Sequence, residues 1–272
     1  MAGNEKYFLG TLTKTLSLLE LFREHDNLGL TEISHYLSLS KSNVYRIVIT
    51  LEHWGYLEKT KDLKYKLGTK LLLLGSLVLD RQEIIPIARP FIKELVKKVK
   101  ETAYLAILTN NRVVTYLTKV NTEYSIRVGT RIGRTLPAYT TADGKIILAY
   151  SDPEIIEDFL QHTELKEKTD FTITSKIELR EKLEEIRQRG FAIDNEETEI
   201  GLIAVAAPIY NILGKVFASV SIAGPAYRIN ENLDSIRDTV IKTAEEISHA
   251  LNVQKNRRNF MNFSLPIAKG TA

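Results

Sequence analysis

Ser40-Lys-Ser-Asn-Val-Tyr-Arg-Ile-Val-Ile-Thr-Leu-Glu-His-Trp-Gly55 decides how this chain is read. Ser40 suits a helix N-cap, because its hydroxyl can accept an otherwise orphan backbone N–H. Gly55 suits the left-handed residue that ends a helix. Between them Val44, Ile47, Val48 and Leu51 fall at i, i+3, i+4 and i+7, which makes one apolar stripe. At roughly 100° per residue, Ser42, Arg46 and His53 point the opposite way, with Asn43 and Tyr45 on the flanks. These outward residues suit DNA: Arg can fork onto guanine, Asn can pair with adenine, and Ser can take a base or a phosphate. A solvated amphipathic surface helix would carry the same pattern, so the flanks must decide.

Upstream, Thr31-Glu-Ile-Ser-His-Tyr-Leu37 reads as a short helix with Ile33 and Leu37 inward, and Ser38-Leu-Ser40 as the turn that follows. Helix, short turn and polar-faced second helix is helix-turn-helix grammar. Downstream, two partly alternating runs, 56–60 and 63–67, flank the charged pair Lys61-Asp62 and read as a hairpin, hence a wing. Over residues 40–70, Lys41, Arg46, Lys59, Lys61, Lys64, Lys66 and Lys70 oppose Glu52, Glu58 and Asp62, a local excess of positive charge. Such a patch is the footprint of phosphate contacts.

The whole chain supports two domains: 272 residues, 44% of them apolar, allow each half its own core. Its net charge of +3 carries little information beside the local patch. There is no cysteine, which excludes a disulfide framework and a Cys-based zinc finger and fits a reducing cytoplasm. The first residues lack a secretory apolar core. The apolar run from Leu71 to Leu79 is broken by Gly75-Ser76 and falls short of the roughly 20 residues a membrane span needs. The expectation is a soluble, cytoplasmic protein without a membrane partner.

In chain order, a first helix is expected over Thr11–Glu24, with Leu12, Leu16, Leu19 and Phe22 as its buried stripe. A linker helix follows over Gly68–Arg81, whose Leu71, Leu74, Leu77 and Val78 either form a dimer surface or rest on their own chain. Pro86 and Pro90 mark the start of a helix running from about Ile87 to Lys100, with Pro90 placed in its first turn. The period then changes. Strands are expected at 103–108 and 112–120 around an Asn110-Asn111 turn, and a third at Ser125–Val128. Helices follow at 141–150, 153–162 and 175–188, then strands at 191–194, 203–209 and 215–223, and a closing helix at 231–251. The tail from Lys255 shows no clear period. The strand and helix order suggests an antiparallel or mixed sheet flanked by helices, an α+β sensor-like domain.

Catalytic signatures are missing. Gly144-Lys145 is no phosphate loop, since Tyr139 stands where the motif needs Gly and Ile146 follows the Lys. There is no G-x-G-x-x-G, HExxH or G-x-S-x-G. Asp194, Glu196, Glu197 and Glu199 could bind a metal or form a solvated acidic loop. They are the one support for a competing reading, a small-molecule enzyme or metal-binding protein with an accessory DNA-binding head.

Short motifs in fixed order then carry a resemblance. They are Leu39-Ser-Lys-Ser-Asn-Val-Tyr-Arg46, Glu52-His-Trp-Gly-Tyr-Leu57, Leu67-Gly68, Leu136-Pro137, Ala142-Asp-Gly-Lys145, Gly190-Phe-Ala-Ile-Asp-Asn-Glu-Glu197, Glu199-Ile-Gly-Leu202, Ala206-Ala-Pro-Ile209 and Val220-Ser-Ile-Ala-Gly-Pro225. With these, residues 10–252 resemble the IclR family of transcriptional regulators. The resemblance implies an N-terminal winged helix-turn-helix, a linker helix and a C-terminal GAF-like α/β sandwich that binds an effector. The boundaries expected are 1–67, 68–84, 85–252 and a tail at 253–272. It implies a homodimer or homotetramer, no enzymatic activity, no cofactor and no resident metal.

Carried over by position, the effector pocket has an apolar wall of Val128, Leu136 and Leu202. Backbone N–H groups near Ala142 and Asp143 would receive a carboxylate at a helix N-terminus. Asp194 and Ser221 would hold the ligand's polar end, or make ordinary loop and sheet hydrogen bonds. Ala204 and Ala223 stand where many relatives carry Cys and Ser, and each removes a polar contact. Asp143 adds a charge that would oppose an anionic ligand if it points inward. For DNA, the base-reading candidates are Arg46, Asn43, Ser42 and Tyr45. The phosphate candidates are Lys41, Lys59, Lys61 and Lys64, with Thr31 at a helix start. The partners expected are double-stranded DNA with a near-palindromic operator and a small organic effector such as a carboxylic acid.

Overall fold

The computed structural model describes residues 7–80, 84–110 and 112–263. Arg81 and Asn111, expected at the end of the linker helix and in a hairpin turn, lie outside these residues. The chain divides into two units, Met1–Gln82 and Glu83–Ala272.

The first unit holds α1 (Gly10–Leu21), α2 (Leu30–Leu37), α3 (Lys41–His53), β1 (Leu57–Lys59), β2 (Tyr65–Leu67) and α4 (Thr69–Asp80). Its core gathers Leu18, Phe22, Leu28, Ile33, Val44, Ile47, Val48, Leu51, Leu57 and Tyr65. Each such buried aliphatic side chain stabilises by about 1.5–3 kcal/mol. The strands pair antiparallel with Leu57 opposite Leu67, and Leu28 adds a bridge to Tyr65. Gly55, at φ +75°, lets the backbone turn out of α3 so that Tyr56 N–H bonds back to the Leu51 carbonyl at 2.8 Å.

Helix α1 corrects its expected stripe. Leu18 and Phe22 are buried, whereas Leu12 and Leu16 are 53% and 54% exposed. Leucine occurs all round this helix, so its inward face was ambiguous in sequence. The helix packs inward through Leu18, Leu19 and Phe22 instead.

The second unit runs α5 (Ile84–Val99), β3 (Thr102–Thr109), β4 (Val113–Val120), β5 (Thr135–Pro137), α6 (Ala142–Ala149), α7 (Pro153–His162), α8 (Lys176–Arg189), β6 (Ala192–Asn195), β7 (Leu202–Tyr210), β8 (Val216–Pro225), α9 (Ala226–Asn230) and α10 (Leu233–Phe263). Six strands form one sheet in the order β5-β4-β3-β8-β7-β6, every neighbour antiparallel. Strand alternation builds two cores. On β8, Ala218, Val220 and Ile222 face α5 and α10, while Ser219, Ser221 and Ala223 face the side of α6. The result is a helix–sheet–helix sandwich.

Three expectations change here. Ser125–Val128 is not a strand. Its carbonyls are taken by side chains instead: Tyr104 Oη donates to Val128 O at 3.1 Å and Arg228 to Ile126 O at 2.8 Å. The third strand is β5, a short edge that closes on Pro137. Helix α5 starts at Ile84, because Ile84 and Ala88 are buried, so Pro90 falls in its second turn rather than its first. Helix α10 continues to Phe263, through the part of the tail expected to lack regular structure. No glycine or proline stands between Leu251 and Phe263 to stop it.

Candidate nucleic-acid interface and ligand cavity

Ser40 caps α3 as its position suggested: its Oγ accepts from Asn43 N at 3.4 Å. Ser38, left-handed at φ 52°, makes the sharp turn that separates α2 from α3. With Val44, Ile47, Val48 and Leu51 buried, Lys41, Ser42, Asn43, Tyr45 and Arg46 are all exposed on the remaining surface of the helix. Thr31 is exposed at the start of α2. In the wing, Thr60 clasps the tip, its hydroxyl donating to Lys64 O at 3.0 Å and accepting from Lys64 N at 3.1 Å. Lys59 and Lys61 are exposed. Lys64 Nζ sits 3.2 Å from Glu32, an exposed ion pair that is worth little and can be exchanged for a phosphate.

In the second unit all nine positions carried over as pocket residues line one cavity of about 370 Å³: Val128, Leu136, Ala142, Asp143, Asp194, Leu202, Ala204, Ser221 and Ala223. Helix α6 packs against the segment that leads into it because Gly144 carries no side chain: a Cβ there would lie 2.3 Å from Ala138 O. Thr141 caps α6, accepting from Gly144 N at 3.1 Å.

Asp143 does point inward, toward β8. Ser219 and Ser221 donate to its two oxygens at 2.6 and 2.8 Å. The Ser221 hydroxyl, read either as a ligand contact or as an ordinary sheet hydrogen bond, gives its proton to Asp143. Burial pushes the Asp143 carboxyl up to about 6, against the lowering effect of those two hydroxyls. Asp194 is equally buried and also raised by burial. Its Oδ1 accepts from Glu197 N at 2.9 Å and Thr198 N at 3.2 Å, so it organises the loop after β6.

That loop is wired throughout. Lys145, fully buried on α6, donates to Ile193 O at 2.8 Å and to Glu197 Oε1. Thr169 and Thr172 donate to the carbonyls of Glu196 and Glu197 at 2.7 and 2.8 Å. Glu196 accepts from Gly201 N at 2.6 Å. Asp194 and Glu196 thus hold backbone of their own loop and Glu197 holds Lys145, and among the described residues no cluster of three His, Cys, Asp or Glu is placed for a metal.

Sequence reasoning missed several residues of the wall. Tyr104 and Tyr116, ring centroids 5.0 Å apart, line the cavity from β3 and β4, as do Arg127 and Arg134 from the long loop before β5. Ser219 was legible, since it shares a strand face with Ser221 two residues on. Lys145 sat in a quoted motif but faces a partner 52 residues away, which no local pattern reveals.

The model for the bacterial transcriptional regulator IclR C-terminal domain matches residues 76–249, and that for the IclR helix-turn-helix domain matches 11–61. The chain belongs to the IclR family of transcriptional regulators. The HTH-type transcriptional regulator KdgR of Escherichia coli is 36% identical over 224 residues, 82% of this chain and 85% of that protein. The crystal structure of the Thermotoga maritima IclR superposes with TM-score 0.72 at 36% identity, covering 90% of this chain and all of that one. An IclR homologue from Microbacterium hydrocarbonoxydans, solved with 4-hydroxybenzoate, shares the fold with TM-score 0.77 at 23% identity, over 89% of this chain and 99% of that one. This IclR-family chain is a ligand-responsive, DNA-binding transcriptional regulator with the expected winged helix-turn-helix and α+β effector domain. The relatives named here are regulators, and nothing in the comparisons supports the enzyme or metal-binding alternative. Among the described residues, no helix is long and apolar enough to cross a membrane.

Proposed function

We propose that α3 reads the operator through Arg46, Asn43, Ser42 and Tyr45, that Lys41, Lys59, Lys61, Lys64 and Thr31 hold phosphates, and that the 370 Å³ cavity receives the effector. The observation that carries the reading is the convergence on that cavity of nine residues spread from Val128 to Ala223. The protein works in the cytoplasm without a cofactor.

It acts as a homodimer or a larger homo-oligomer. Leu12 and Leu16 on α1, with Leu72, Leu73, Leu74 and Leu77 on α4, are 39–75% exposed. This much outward leucine on one small unit is an association surface. A dimer sets two α3 helices about 34 Å apart on a near-palindromic site. Effector binding shifts the regulator between states only by the difference of its affinities for them.

Titration of full-length protein onto operator DNA recovered from a random pool tests this, with and without compounds that raise the melting temperature. An effector that changes operator affinity, and loses that effect when Ala223→Phe fills the cavity, supports the reading. A compound whose effect survives Ala223→Phe refutes the cavity assignment.

Two DNA predictions arise here. Arg46→Ala weakens operator binding by about 1–3 kcal/mol and leaves nonspecific binding nearly unchanged. Equal losses on both in a competition assay would remove Arg46 from base reading. Lys61→Ala weakens binding to every sequence and flattens the salt dependence by about one phosphate contact. An unchanged slope of log affinity against log salt would place Lys61 outside the interface.

A further inference from the structure

We propose that Arg228 is a positioning residue of the regulator: it holds the loop between β4 and β5 in place and, through Glu101, ties that loop to the end of α5. The regulatory meaning of this tie rests on the reading of the 370 Å³ cavity as the effector site.

The loop after Val120 supplies Ile126, Arg127, Val128, Gly129, Thr130 and Arg134 to the cavity lining. Its own backbone does little to fix it. Among the described residues, 121–130 make no backbone–backbone hydrogen bond. Side chains hold it instead. Thr122 closes the base, its hydroxyl donating to Lys100 O at 2.6 Å. Tyr104 Oη donates to Val128 O, and Lys119 Nζ to Thr130 O at 2.8 Å. Between these points the loop is held by Arg228, whose Nη2 donates to Ile126 O at 2.8 Å.

Arg228 is itself fixed. Its Nε and Nη2 fork onto the two oxygens of Glu101 at 2.5 and 3.1 Å, a geometry that a planar guanidinium provides and an ammonium does not. Its Nη1 donates to Tyr227 Oη at 2.8 Å. The guanidinium also lies 4.9 Å from the ring centre of Tyr124, a residue of the loop. One side chain therefore grips the loop twice, at Tyr124 and at Ile126.

Glu101 stands between α5 and β3 and is 2% exposed. The cavity wall meets the same ion pair from β8. Gly224 lines the cavity, and a Cβ there would lie 2.6 Å from Glu101 Cδ. A molecule that displaces either the loop or the end of β8 displaces the Glu101–Arg228 pair with it. The end of α5 follows, since Glu101 and Lys100 are its immediate continuation. Helix α5 is where the chain enters the second unit from the DNA-binding unit. Packed and hydrogen-bonded contacts of this kind carry energetic coupling between sites.

The test compares full-length wild type with Arg228→Lys, with the pair Glu101→Gln and Arg228→Gln, and with Tyr124→Leu. Lysine keeps a charge opposite Glu101 but lacks the fork that also reaches Ile126 O. The double variant removes both charges and strands no buried carboxylate. Tyr124→Leu removes one grip at a partly exposed position and leaves the ion pair intact. Trypsin cleavage after Arg127, Arg131 and Arg134 is read by mass spectrometry well below each variant's Tm. Affinity is measured for operator DNA that the wild type selects from a random pool. The two Arg228 variants are expected to be cut in the loop at least about tenfold faster than wild type, and Tyr124→Leu about threefold faster. The Arg228 variants are also expected to change operator affinity by about threefold or more. General loss of stability would raise cleavage equally at the lysines and arginines of α8 and α10, and that pattern overturns the positioning role. Loop cleavage within about twofold of wild type in all three variants overturns it too. Faster loop cleavage with unchanged operator affinity overturns the tie through α5. Neither measurement uses an effector, so these outcomes stand apart from the Ala223→Phe titration, which tests the cavity assignment.

Discussion

Lys145→Met is expected to destabilise the effector domain by about 3–5 kcal/mol, the cost of leaving one partner of a buried ion pair behind. For a domain of this size that lowers Tm by about 10 °C. Lys145 is completely buried and holds Glu197 and the Ile193 carbonyl at once. Its removal strands a carboxylate whose other oxygen, Oε2, already lacks a hydrogen-bond partner. The Glu197 carboxyl is raised above its ordinary range by burial, with Lys145 as the chief opposing influence. Without that cation Glu197 takes up a proton to fold. The deficit should therefore be larger above neutrality and shrink as pH falls. Lys145→Met combined with Glu197→Leu replaces both charges by apolar groups and should recover most of the loss. Calorimetry of the full chain tests this: a single-variant loss under about 1 kcal/mol, or no recovery in the double variant, would show that the pair does not brace the loop.

Asp143→Asn should stabilise the protein near pH 7.5 and remove a pH dependence from the wild type. The folded carboxyl sits at about 6 instead of 3.8, chiefly because burial disfavours its charge. Because the folded value is the higher one, the native state binds more protons between about pH 4 and 6. Stability then falls as pH rises through that window, by about 3 kcal/mol for a shift of this size. Above the window the penalty is present in full. Asparagine carries no charge, so the variant escapes the penalty. Its amide oxygen accepts from one serine, and the other serine hydroxyl must rotate to accept from the amide nitrogen, which offsets part of the gain. Asp194 and Glu197 are also raised by burial and slope the same way, so the variant flattens the curve without abolishing its slope. Urea unfolding at pH 4 to 8 measures it. Parallel curves for wild type and variant would mean that Asp143 titrates near its unfolded value.

Local pattern made most of the elements legible. Ser40, Gly55 and the stripe of Val44, Ile47, Val48 and Leu51 define α3 through short-range geometry, because a helix face is set by residues three and four apart. The cavity was legible only by resemblance to relatives, since its walls are contributed by residues from Tyr104 to Pro225. Where sequence reading failed, the local signal was degenerate or overruled. Leu12 and Leu16 looked as apolar as Leu18, and Ser125–Val128 alternates like a strand, yet its carbonyls bond to side chains of Tyr104 and Arg228.

Sequence alone determined the helix-turn-helix and its wing, the change to strands after residue 100 and the polar character of α3, all of which rest on periodicity and caps within a dozen residues. Tertiary structure decided which leucines of α1 stay outside, and that Ser219 and Ser221 serve Asp143. It also joined Lys145 to Glu197 and buried the two aspartates of the cavity while leaving its two arginines exposed. Those outcomes depend on which distant surfaces meet and how much water they exclude. Burial is what turns an aspartate into a group that titrates near neutrality, and burial is a property of the assembled fold rather than of neighbours in the chain.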